Sequence, residues 1–171
     1  DFEGLAGEIL KHFGYSTQRN IHLGKPKMEV DVLAVKEGRG LVIDCKHWRR
    51  NLGVAAMTRV VLHQTMRVRA LMASHYVKDM ALKYALPVII TLYAEDVPII
   101  LGVPIVPMEK FSGFLNELDG YLPNLTLVNL SQILSRDEFQ GVADAHLRCL
   151  HIPFNLPHYL QRMGFLRCKI F

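Results

Sequence analysis

Apolar residues open the chain at the spacing of one helix face: Phe2, Leu5, Ala6, Ile9, Leu10 and Phe13, with Gly14 as the stop. Residues 15–23 read as extended and end at the turn Gly24-Lys25-Pro26. Residues 28–35 alternate and are β-rich, Gly38-Arg39-Gly40 turns the chain, and residues 41–46 form another strand, so the two make a β-hairpin. Helix formers then run over 54–84, as one long helix or two joined near Ser74. The continuous apolar run 87–93 fits a strand covered on both faces. Residues 99–106 predict a further strand, 108–118 a helix and 125–130 a last short strand. The expected order is α-β-β-β-α-β-β-α: an α/β unit with a mixed central β-sheet flanked by helices. It occupies residues 1–130, with a mostly helical C-terminal extension over 131–171, expected to pack on the same domain.

Composition narrows this little. Of 171 residues, half are hydrophobic and 21% are charged, enough apolar material for one core and unlike a disordered or collagen-like chain. The most apolar stretch, 97–108, is broken by Pro98, Pro104 and Pro107, so no membrane span is expected. No basic segment precedes an apolar run, so no signal peptide is expected; a first residue that is Asp rather than Met suggests a trimmed fragment. The cysteines Cys45, Cys149 and Cys168 are odd in number and irregular in spacing, which argues against a disulfide framework and for the reducing cytoplasm. The order Cys149, His151, His158, Cys168 matches no usual zinc spacing, and buried thiols explain it more simply.

Charge is more informative in its distribution than in its sum. The net charge is +4, yet residues 41–83 hold eight bases against two acids, Asp44 and Asp79. A local basic stretch is the footprint expected of a polyanion partner, or of a solvated helix face.

The charges that matter most interrupt apolar strands. Asp31 follows Glu29-Val30, and Asp44-Cys45-Lys46 follows Val42-Ile43. In a strand, i and i+2 share a face, so Glu29 and Asp31 point one way, and Asp44 and Lys46 point one way on the neighbouring strand. Asp31 and Asp44 converge at one end of the hairpin with Lys46 beside them. Two close carboxylates raise each other's pKa unless something positive lies between them, and Mg²⁺ or Mn²⁺ suits hard carboxylate oxygens. Cys45 points away from Asp44 and Lys46 and reads as a small core residue.

The pattern E-V-D … V-I-D-C-K resembles the PD-(D/E)-x-K nuclease superfamily, in particular its Mrr-like and archaeal Holliday-junction-resolvase-like branch. The likeness runs from residue 2 to about residue 120 and implies a restriction-endonuclease-like core. It gives Asp31 the first metal-ligand position, Asp44 the acid of D-x-K, and Lys46 the lysine that orients the attacking water. Glu8 matches the helix glutamate that completes the metal site, Gln64 resembles a glutamine on the helix after D-x-K, and the Cys45 carbonyl is a further metal ligand. The family's Pro before the first Asp is Val30 here, and Glu29-Val30-Asp31 stands where Mrr-like members often have Gly-x-Asp. The implied activity is Mg²⁺-dependent hydrolysis of DNA phosphodiester bonds, with Mn²⁺ able to substitute, by a homodimer.

Arg59, His63 and Arg67 recur at i, i+4 and i+8, and Arg49 and Arg50 lie just past Lys46. Together they are expected to border a groove and contact phosphates. Trp48 is either a stacking platform or a packed residue, and Glu29 is either functional or a solvated turn acid. Three other readings stand beside the nuclease: a catalytically silent nucleic-acid-binding module on the same fold, a junction-specific resolvase, and an interaction domain in which the hairpin charges form an internal salt bridge.

Overall fold

In the computed structural model, which describes residues 1–48, 52–92 and 97–134, the hairpin lies within one mixed sheet. Helix α1 (Phe2–His12) leads into β1 (Ser16–Leu23), β2 (Met28–Lys36) and β3 (Arg39–Lys46), followed by α2 (Val54–Ala73) and β4 (Tyr84–Thr91). Strands β5 (Ile99–Ile100) and β6 (Val103–Pro107) precede short helices α3 (Phe111–Asn116) and α4 (Leu118–Tyr121). Strand β7 (Val128–Asn129) and α5 (Leu130–Leu134) complete the described residues. The sheet order is β1-β2-β3-β4-β6-β5, with β7 also on β4. The β1-β2-β3 meander is antiparallel, whereas β3-β4 and β4-β6 are parallel, so the sheet is mixed as expected.

Helices cover both faces. On one, Phe2, Ala6 and Leu10 of α1 and Phe111, Phe114 and Leu118 pack on Val32, Ala34, Leu41, Ile43, Val88 and Ile90. On the other, Val68, Leu71 and Met72 of α2 pack on Leu33, Val42 and Ala85, while Val61 packs on Ile89 and Ile105. Strands buried on both sides lose the polar-apolar alternation. β3 and β4 accordingly carry almost unbroken apolar runs, each large side chain contributing about 1.5–3 kcal/mol on burial. Asp44, inside the buried run of β3, is the charged exception.

Several elements depart from the sequence expectation. Leu5 is exposed, and the buried face of α1 is Phe2, Ala6, Gly7 and Leu10. The long helix ends at Ala73, and Ser74 accepts the Tyr76 N–H to start a short 3₁₀ turn, His75–Val77. The strand expected over 99–106 is a tight hairpin, β5 to β6, because Leu101 and Gly102 both take positive φ, 50° and 74°. Such two-residue turns require that geometry, and a Cβ at Gly102 would lie 2.8 Å from the Thr126 nitrogen. Of residues 125–130, only Val128–Asn129 pairs, with Tyr84 and Ala85. Among the described residues no helix is long and apolar enough to cross a membrane. The extension over 131–171, with its Cys and His residues, lies outside the described residues apart from the end of α5.

Candidate active site

Where β2 and β3 part, their side chains take over from the backbone ladder. The last paired residues are Val32 and Ile43, and one further step of that register sets Asp31 opposite Asp44. There the Cys45 N–H donates to Asp31 Oδ2 at 2.7 Å instead of to a strand carbonyl. The ladder from β1 to β2 skips the same level: Asn20, facing Asp31, has φ 53°, a conformation Asn tolerates better than most residues. Val32 packs on the α1 side of the sheet while Val30 and Leu33 pack on the α2 side. Alternation therefore slips at Asp31, and Glu29 is left exposed.

Asp44 is only 2% exposed and holds two cations. Lys46 Nζ lies 3.0 Å from its carboxylate, and an Arg67 terminal nitrogen donates to Oδ1 at 2.8 Å. The same Arg67 nitrogen donates to Gln64 Oε1. Gln64 is fully buried, and its Nε2 donates to the carbonyls of Val42 in β3 (2.7 Å) and Val88 in β4 (3.2 Å). A buried amide with all these groups satisfied is a rigid strut. It fixes α2 to two strands and aims Arg67 at Asp44.

Burial pushes the Asp31 carboxyl above the ordinary aspartate range; the Cys45 N–H opposes this, the Asp44 charge adds to it, and Lys46 and Arg67 oppose it. The Cys45 thiol is pushed up to about 12 by burial, then by the charges of Asp31, Glu3 and Asp44. A thiol so held is protonated and inert at neutral pH, consistent with its core position.

Glu3 stands on the first turn of α1. Its field reaches Cys45, and the ring of its neighbour Phe2 lies 4.7 Å from that of His47, so the first turn of α1 borders the end of β3. Glu8 is not there: its side chain is 72% exposed and paired with Lys11 at 2.7 Å. The exposed Lys11 also lowers the Glu8 pKa.

The basic residues divide. Arg59 and His63 are exposed on α2, Arg67 is turned onto Asp44, and Arg49 and Arg50 lie outside the described residues. Trp48 is partly buried against Val61, Ile89 and Ile105, a packed position rather than a free platform. Thr91, paired in register with Lys46, buries a hydroxyl that has no partner among the described residues.

Asp31 and Asp44 offer hard oxygen donors suited to Mg²⁺, an ion commonly held by one or two carboxylates, water and substrate phosphate. Among the described residues no group of three or more His, Cys, Asp or Glu forms a complete protein cage. The donor set therefore fits an ion that keeps water, and not a structural metal.

Asp44 and Lys46 at the carboxyl end of β3, parallel to β4, with Asp31 opposite on the antiparallel β2, on a mixed sheet entered through a helix and a hairpin, fit a restriction-endonuclease-like fold. Residues 1–94 match the family model Mrr_cat, restriction endonuclease, and the chain belongs to that family, part of the PD-(D/E)-x-K superfamily. No curated protein matches the chain. A solved archaeal protein of unknown function, AF1548, is similar at 19% identity and TM-score 0.38, over 66% of this chain and 52% of that one. The chain thus spans about half that protein's length.

Proposed function

We propose that the protein is a metal-dependent DNA endonuclease in which Asp31 and Asp44 hold Mg²⁺ or Mn²⁺, with the Cys45 carbonyl as a further oxygen donor and water filling the other positions. The observation that carries this is the meeting of Asp31, Asp44 and Lys46 where the hairpin opens. A bound divalent ion lowers the pKa of a water and offsets charge on a scissile phosphate. Lys46 orients the attacking water and shields the phosphate oxygens, and Gln64 acts as a positioning residue through Arg67. Arg59, His63, Arg49 and Arg50 contact phosphates along the basic stretch. Cutting both strands of a duplex takes two such sites, so the acting species is read as a homodimer.

A second reading, a binding module without turnover, draws support from one observation: Asp44 already holds two cations. Supercoiled, linear and branched DNA incubated with Mg²⁺, Mn²⁺ or EDTA decide between them. The nuclease nicks in metal, stops in EDTA and loses turnover in Lys46→Ala while still binding DNA. Binding without nicking in any metal supports the module, and preference for the branched substrate marks a junction enzyme.

A further inference from the structure

We infer that Arg67 is a resident counter-ion that competes with the divalent cation for Asp44 and so sets the metal affinity of the site. This rests on the nuclease reading above. Arg67 follows His63 by four residues on α2, yet the guanidinium lies over the sheet with its side chain only 20% exposed. One terminal nitrogen meets both Asp44 Oδ1 and Gln64 Oε1, and a terminal guanidinium nitrogen carries two protons, so both are engaged. Gln64 cannot swing away, because its Nε2 is bound to Val42 and Val88 carbonyls within the sheet. Asp44 is therefore positioned from α2 before any metal arrives.

That arrangement has an electrostatic consequence. Asp31 and Asp44 carry two negative charges, and Lys46 and Arg67 supply two positive ones, so this quartet attracts a dication weakly. The Arg67 charge at Asp44 Oδ1 takes up acceptor capacity of a carboxylate that a metal would need. Entry of the ion must loosen the Arg67 contact, and its loss must restore it.

The test is Mg²⁺ binding by calorimetry without DNA, on wild type, Arg67→Gln and Arg67→Lys. Arg67→Gln keeps hydrogen-bonding capacity and removes the charge, so it should bind Mg²⁺ about tenfold more tightly, the effect of a neighbouring charge that moves a carboxylate by one pKa unit. Arg67→Lys keeps the charge and should bind like wild type, a rescue that a purely structural role does not explain. Equal or weaker binding by Arg67→Gln overturns the inference and leaves the nuclease reading standing. No Mg²⁺ binding by any of the three overturns both. Should Arg67→Gln fail to fold, the wild-type side-chain N–H resonances of Arg67 serve instead: they should shift in step with Mg²⁺ binding, and resonances unmoved at saturating Mg²⁺ overturn the inference.

Discussion

Strands β3 and β4 carry a polar cluster at each end, and the two are built differently. At the start, Arg39 pairs in register with Tyr84, donating to its hydroxyl at 3.0 Å and to Asp119 at 2.6 Å. Asp119 is 81% exposed, so that ion pair sits in water and contributes about 0–1 kcal/mol. At the finish, Asp44 is buried between Lys46 and Arg67, with Asp31 half-buried nearby and Gln64 buried behind. Removing such charges from water is poorly compensated by their attraction, so stability alone is a weak reason to keep them. The same ladder thus has a surface clasp at one end and a costly cluster at the other. The costly one lies at the carboxyl ends of parallel strands, where open α/β sheets bind ligands.

The largest effect separating the two ends should be on turnover. Asp44→Asn and Lys46→Ala each lower the rate of plasmid nicking by at least about 100-fold, since charge stabilisation at the reacting phosphate is lost. Asp119→Asn nicks at the wild-type rate. A Lys46→Ala protein that cuts as fast as wild type removes the distinction in function.

Stability should follow in the same order. Asp44→Ala strands Lys46 and Arg67 beside an apolar strand and lowers unfolding free energy by about 1–3 kcal/mol in urea titration, discounted because both cations are partly exposed. Asp119→Asn changes it by at most about 0.5 kcal/mol. Equal costs at the two ends break the comparison.

The smallest effect carries the opposite sign. Asp31 has a folded pKa above its unfolded value, so the folded state holds this proton more firmly than the unfolded chain. Its stabilising contribution is full below the ordinary aspartate value of 3.8 and is lost as pH rises through the folded one. At neutral pH without metal, Asp31→Asn keeps an acceptor for the Cys45 N–H and removes the strained charge, so its melting temperature rises by about 2 °C. It loses cleavage at the same time. Metal affinity of the wild type should decline on acidification, starting at a higher pH than for an ordinary aspartate.

What could be read from the chain alone follows from which signals are local. The hairpin, the shared face of Asp44 and Lys46, and the core position of Cys45 rest on strand alternation and a Gly turn, which are short-range and survived folding. Arg67 was grouped with Arg59 and His63 by spacing, but eight residues at 3.6 per turn leave about 80° of rotation between the first and the last. That drift swings Arg67 from solvent toward Asp44. Glu8 came from the family resemblance and an apolar stripe that counts Leu5, whereas the structure exposes Leu5, buries Gly7 and leaves Glu8 on the solvent side paired with Lys11. The slip at Asp31 coincides with positive φ at Asn20 in the neighbouring strand, and no alternation within β2 reveals it.

The claim beneath all of this is that Asp31 and Asp44 share one divalent ion. Crystals soaked in Mn²⁺ and measured for anomalous scattering test it directly. The account predicts a peak between the two carboxylates, within coordinating distance of both and on the side of Lys46. A manganese bound elsewhere on the chain, or none at saturating concentration with both carboxylates ordered, contradicts it.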